Sequence, residues 1–211
     1  FTISDIQYQA KQIMVSDSDA ASDMAAANSE KGLQIDLETI QTRLVNQAAI
    51  TGPSSMLISV PNITRALGVL SVPLNQNTQQ GLEHRSLVGV PDGLTNYQYE
   101  LGQNGLVPNR PVPVEKASLG NPLIQTQETN EKMKCLDSFG YRLSNLNRTP
   151  MNFSVGRQFS RPNMFFNLMK AGDLNLRCQY DTAQTSPKLF CHFISHLRSI
   201  NISKNGMKIM N

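Results

Sequence analysis

Apolar and polar residues alternate with a period of two along much of the chain, the spacing of strands with one face buried. Leu174, Leu176, Cys178 and Tyr180 fall on one side of such a segment, and Asn175, Arg177 and Gln179 on the other. Leu33, Ile35 and Leu37 repeat the pattern, after which the apolar parity moves to Ile40, Thr42 and Leu44. A parity switch of this kind predicts a bulge or a passage between two sheets. Towards the end Leu189, Cys191, Phe193 and Leu197 share one parity and Ile200 and Ile202 take the other. With Phe190 and Ile194 opposite them, that segment is expected to be buried on both faces for part of its length. Further strands are predicted at Ile3–Val15, Met56–Val60, Ala66–Val72, Leu94–Leu101, Met151–Gln158 and Met207–Met210. Prolines at 61, 73, 91, 108, 111, 113 and 187 punctuate the runs. Lys204-Asn205-Gly206 predicts the hairpin turn between the last two strands.

Two stretches break the pattern. Residues 16–31, rich in Ser, Asp and Ala, read as a mobile loop or a short helix. Residues 121–139 carry Leu123, Ile124, Met133, Leu136 and Phe139 at roughly helical spacing, which predicts a helix inserted between strands. The expected fold is therefore all-β: an antiparallel two-sheet jelly-roll β-sandwich with a short helical insertion, one domain over residues 1–211.

Composition narrows the classes. Of 211 residues, 39% are hydrophobic and 17% charged, the latter below the roughly 25% usual for soluble domains. Uncharged polar residues fill the difference, with 19 Asn. No apolar run approaches the roughly 18 residues of a membrane-spanning helix, and Phe1 to Lys11 lacks a basic-then-apolar signal-peptide layout. Cys135, Cys178 and Cys191 are odd in number and lack CxxC spacing, which favours reduced core thiols over a disulfide framework. Charge is unevenly placed: residues 1–60 hold seven acids against three bases, and residues 141–211 hold ten bases against two acids. That asymmetry points to a surface meeting an acidic partner, with a solvated basic face as the plainer explanation.

Catalytic signatures are missing. There is no phosphate loop, no GxGxxG after a strand, no HExxH and no GxSxG. His192 and His196 have a metal-like spacing, but on a strand such residues stand about 13 Å apart, so two structural histidines are expected. Asp17, Asp19 and Asp23 lack the glycine and the bidentate acid of a calcium loop. Neither an enzyme, a cofactor, a metal nor a small-molecule substrate is expected.

The most distinctive stretch runs from Thr95 to Val112: an aromatic strand containing Tyr97 and Tyr99, a turn at Gly102-Gln103-Asn104-Gly105, and a segment stiffened by Pro108, Arg110 and Pro111. This stretch resembles the second barrel of double jelly-roll viral major capsid proteins, especially those of virophages and Polinton-like viruses. Phe153–Ser160 is similar to the strand after that family's helical insertion, Leu174–Tyr180 to the next strand, and Lys188–Gly206 to the closing strand and turn. The resemblance runs loosely from about Gln34 onward, over a chain with room for one barrel. It implies a structural capsid subunit that forms trimeric capsomers of an icosahedral shell, located in the virion and assembled in the host cell, without cofactor or catalysis. Its partners would be copies of itself and other capsid proteins. Tyr97, Tyr99, Pro108, Arg110 and Pro111 are the candidates for subunit contacts. Arg157, Arg177, Arg198, Lys204 and Lys208 are the candidates for a basic face that meets the genome or an inner membrane. The alternative is a carbohydrate-binding β-sandwich for host attachment, stacking sugars on Tyr97 and Tyr99.

Overall fold

The computed structural model describes residues 16–60, 63–75, 93–102, 105–114, 122–140, 154–159, 167–181 and 187–210. The expected strand at Ile3–Val15, the first three residues of the one expected at Met151–Gln158, and the turn residues Gln103 and Asn104 lie outside them. In chain order the elements are α1 (Asp17–Ala27), β1 (Leu33–Gln47), β2 (Gly52–Ile58), β3 (Ala66–Asn75), β4 (Leu94–Leu101) and β5 (Gly105–Pro113). They continue with α2 (Pro122–Asp137), β6 (Val155–Gln158), α3 (Leu168–Ala171), β7 (Leu174–Tyr180), β8 (Lys188–Ser203) and β9 (Gly206–Met210).

The strands form two sheets in the orders β1-β8-β3-β6 and β2-β7-β4-β5, with β9 added beside β8. The first strand thus neighbours the eighth, the second the seventh, the third the sixth and the fourth the fifth. This is one long antiparallel hairpin rolled so that successive strand pairs fall in alternate sheets, the double-sheet jelly roll. Where the register is defined it is antiparallel, as in β2 on β7 from Gly52↔Tyr180 to Ile58↔Leu174. The observed architecture is the expected all-β jelly-roll sandwich.

Alternation places the core. From one sheet Val69, Val155, Phe190 and Ile194 point inward, and from the other Met56, Ile58, Leu94, Tyr97, Tyr99, Leu174, Leu176, Cys178 and Tyr180. Burial of side chains of this size stabilises by about 1.5–3 kcal/mol each, and it fixes the register because a one-residue slip would expose the whole set. β7 keeps the alternation expected of it, Leu174, Leu176, Cys178 and Tyr180 buried and Arg177 exposed. β8 is buried at Lys188, Phe190, His192, Ile194 and His196 and half-buried at Leu189, Cys191 and Phe193, so both faces are covered as anticipated.

β1 departs from expectation. Leu33, Thr39, Gln41, Arg43 and Val45 are its half-buried positions, while Ile35 and Leu37 of the first apolar set are exposed and Ile40 and Leu44 are 54% and 62% exposed. The parity switch therefore does not carry Ile40, Thr42 and Leu44 into the core. Polar groups occupy the covered side because they have partners there: Thr39 Oγ1 lies 3.2 Å from His196 Nε2, and Arg43 Nε donates to the Ser59 carbonyl at 2.8 Å.

The helical insertion forms as expected and lies on the outer face of the β1-β8-β3-β6 sheet. Cys135 Sγ donates to the Val69 carbonyl at 3.0 Å, and Ser195 Oγ donates to the Ser138 carbonyl at 2.8 Å. Glycine makes that approach possible: a Cβ on Gly156 would stand 2.5 Å from Cys135 Sγ. The sequence did not foreshadow α3, a single turn capped by Asn167 Oδ1, which accepts from Lys170 N at 3.0 Å.

The described chain divides into two compact units, one running from Leu37 to Arg198 and the other comprising residues up to Asp36 together with Ser199–Met210. In the latter, residues 17–27 are helical, with Ser16 as N-cap and Asp17 and Asp19 in the first turn, where the helix dipole favours acids. Asp17, Asp19 and Asp23 thus sit on a helix, not in a cation-binding loop. Lys204 Nζ pairs with Glu30 at 2.7 Å, and β8 and β9 join through a hairpin closed by Ser203↔Gly206, with Gly206 at φ +113°.

Candidate functional site

The expected subunit contacts separate into two groups. Tyr97 and Tyr99 are 1% and 0% exposed and do not present surface to a neighbour. Period two sends both into the sandwich, where the rings meet edge to face at 6.1 Å and Tyr97 Oη donates to the Gly156 carbonyl of the opposite sheet at 3.1 Å. Their burial also removes the stacking platform of the sugar-binding alternative. Pro108 is half-buried, while Arg110 and Pro111 are exposed, on the outer strand β5. Gln98 Nε2 fixes that strand by donating to the Pro108 carbonyl at 2.6 Å. Pro108, Pro111 and Pro113 have no N–H to give to a further strand, which blunts this sheet edge.

A polar chain crosses the core. Tyr99 Oη from β4 lies 2.9 Å from Ser71 Oγ on β3, and Ser71 Oγ lies 2.8 Å from His192 Nδ1 on β8. Tyr180 does the same at another position, donating to Gln47 Oε1 at 3.2 Å. His192 is fully buried, its ring stacked on Phe190 at 5.8 Å, and burial pushes its pKa down to about 4. Burial also lowers His196, with the Arg198 charge adding to the effect. The two histidines face different partners, Ser71 and Thr39, and no cluster of three His, Cys, Asp or Glu able to hold a metal exists among the described residues. Burial likewise raises the thiols of Cys135 and Cys178 to about 12, so neither is an activated nucleophile. No sequence signal singled out Ser71, because a lone serine in an apolar strand shows its role only once the opposite sheet is in place.

The basic candidates are not all on one sheet. Arg177 lies on the β2-β7-β4-β5 sheet and forms a two-pronged ion pair with Glu100, at 2.8 and 2.6 Å. Arg157 belongs to β6 in the other sheet and pairs with Glu131 of α2. Lys204 pairs with Glu30, and Lys208 is exposed on β9. Arg198 is half-buried on β8. Strand order thus sets Arg177 apart from Arg157, Arg198 and Lys208, whose strands share the other sheet, and three of the five candidates meet acids within the chain.

Beside Arg177 the outer face of the β2-β7-β4-β5 sheet has an open depression of about 410 Å³, lined by Pro53, Ser54, Ser55, Asn96, Gln98 and Gln179. Arg177 is its one charged lining group, and Cys178 completes the lining.

No protein-family model matches the chain, and no curated protein matches it. Solved structures of viral capsid proteins are similar to it. The major capsid protein P2 from bacteriophage PM2 matches at 7% identity and a TM-score of 0.33, over 78% of this chain and 45% of that one. The STIV MCP matches at 14% identity and a TM-score of 0.35, over 75% and 48%. PBCV-1 VP54, fitted into a reconstruction of the virophage Sputnik, matches at 9% identity and a TM-score of 0.43, over 85% and 52%. The chain spans about half the length of these proteins.

Proposed function

We infer that the chain is a structural subunit of a viral capsid, a jelly roll that assembles with copies of itself into trimeric capsomers and resides in the shell of the virion. The observation that carries the reading is the strand order, β1-β8-β3-β6 over β2-β7-β4-β5, with α2 inserted between β5 and β6 and laid on an outer face. That is the arrangement implied by the sequence resemblance, and capsid domains are among the proteins that use it. Since one fold serves many functions, the surface matters too. Beside the paired Arg177, the amides and hydroxyls of Ser54, Ser55, Asn96, Gln98 and Gln179 border the open depression on the outer face, and groups of that kind are cheaper to desolvate at repeated contacts than charges. Arg157, Arg177 and Lys204 are neutralised inside the chain, which favours other capsid subunits over a genome or an inner membrane as partners.

Light scattering after size exclusion tests the reading. A trimer, roughly 70 kDa for a 23.4 kDa chain, is the expected result. A monomer at every concentration overturns it.

A further inference from the structure

The outer strands of the two sheets are unequally protected. β5 contains Pro108, Pro111 and Pro113, β2 begins Gly52-Pro53, and β6 has only 4 residues. Prolines and short length are the usual ways of blunting a sheet edge. β1 has neither. From Leu37 to Gln47 it contains no proline, glycine or lysine, and among the described residues it neighbours only β8. Its exposed positions from Leu37 on are Leu37, Glu38, Ile40, Thr42, Leu44 and Asn46, and Ile40 and Leu44, its two most exposed aliphatics, flank Thr42 on a long outer strand. Such an edge is one that another strand covers.

We propose that β1 pairs antiparallel with β1 of a second copy, about a two-fold axis at Thr42, joining two sheets edge to edge. A two-fold axis perpendicular to the sheet keeps both outer faces on the same side, so residues of equal parity meet. Centred on Thr42, Ile40 of each copy faces Leu44 of the other, and Thr42 faces Thr42. Gln41 faces Arg43, an amide oxygen opposite a guanidinium, and Glu38 faces Asn46. No like charges meet, and no aliphatic faces a carboxylate. Moving the axis one residue towards the N-terminus sets Glu38 against Leu44, and one residue the other way sets Arg43 against its own copy. The charge pattern thus selects a second copy in the register that also covers both aliphatics. The inference deepens the capsid reading and rests on it: a trimer closes on itself, and a shell needs a second kind of contact, which this pairing supplies.

Thr42→Cys in a Cys191→Ser background tests it. Directly opposed Cα atoms in an antiparallel pair stand about 4.5–5.5 Å apart, within disulfide reach. Mild oxidation is expected to give a linked dimer with Thr42→Cys and none with Ile40→Cys, whose thiol faces Leu44. The double variant Ile40→Cys/Leu44→Cys should link again. Ile40→Glu/Leu44→Glu should lower the dimer fraction in sedimentation at an unchanged melting temperature, because both side chains are exposed. Thr42→Cys that stays unlinked, or links no faster than Ile40→Cys, overturns the pairing. If the native chain is nonetheless a trimer, the capsomer reading survives that result. Linked Thr42→Cys dimers without any trimer overturn the capsomer reading and leave the β1 contact standing.

Discussion

His192 should make the protein acid-sensitive in a defined window. Its ring is fully buried, one nitrogen is satisfied by Ser71, and Nε2 has no hydrogen-bond partner. Charging it places a cation among Phe190, Tyr99 and aliphatic side chains, and that cost holds its pKa at about 4 against 6.5 for a free histidine. The depressed value sets the sign. Between pH 6.5 and 4 the unfolded chain binds the proton and the folded chain does not, so stability is full above 6.5 and falls as pH drops towards 4. That interval, at about 1.36 kcal/mol for each pH unit, amounts to roughly 3 kcal/mol, a large share of a typical total of about 5–15. Urea unfolding at several pH values from 7 to 4, on the native chain and on His192→Gln, isolates the effect, since His196 and all carboxylates are common to both. The native chain should lose about 3 kcal/mol more than the variant across the window. Should His192→Gln fail to fold, NMR titration of the His192 ring in the native chain gives the same information. Equal pH slopes in the two proteins, or a ring that protonates near 6.5, would refute the reasoning.

Other perturbations follow from the same contacts. Tyr99→Phe removes a hydroxyl that meets Ser71 across the core and should cost about 1–2 kcal/mol, seen as a melting temperature lower by a few degrees. Gly156→Ala drives a Cβ against Cys135 Sγ and should destabilise by about 1–3 kcal/mol, a loss that Cys135→Ala in the same chain should partly restore. Arg177→Ala leaves the Glu100 carboxylate, 10% exposed, without its two-pronged partner, whereas Lys204→Ala frees a Glu30 that is 82% exposed. The first should therefore cost clearly more than the second, which is expected to stay below about 0.5 kcal/mol in urea unfolding.

Much of the fold was legible because it is local. Leu94–Leu101 and Leu174–Tyr180 form strands with the bounds their alternation marked, the helix of residues 121–139 forms, and the last hairpin turns at Lys204-Asn205. The candidate site was less legible. Tyr97, Tyr99 and Arg110 occur in one distinctive stretch, yet the first two lie in the core and only Arg110 reaches the surface. Arg157 and Arg177, twenty residues apart in a basic region, fall in different sheets with different acidic partners.

The sequence by itself determined that the chain is built of strands, the bounds of β4 and β7, which side of β7 is apolar, and that no nucleotide loop or metalloprotease motif is present. These follow from residue period and from proline and glycine, which act within a few positions. Only the tertiary structure decided that β1 half-buries Thr39 and Gln41 and leaves Ile40 and Leu44 in solvent, that Ser71 links a tyrosine to a histidine, and that Arg177 lies on a different sheet from Arg157. Whether a polar side chain is tolerated inside, or an aliphatic one left outside, depends on the group that faces it. In a jelly roll that group comes from a strand distant in sequence, as His196 does for Thr39 from 157 residues away.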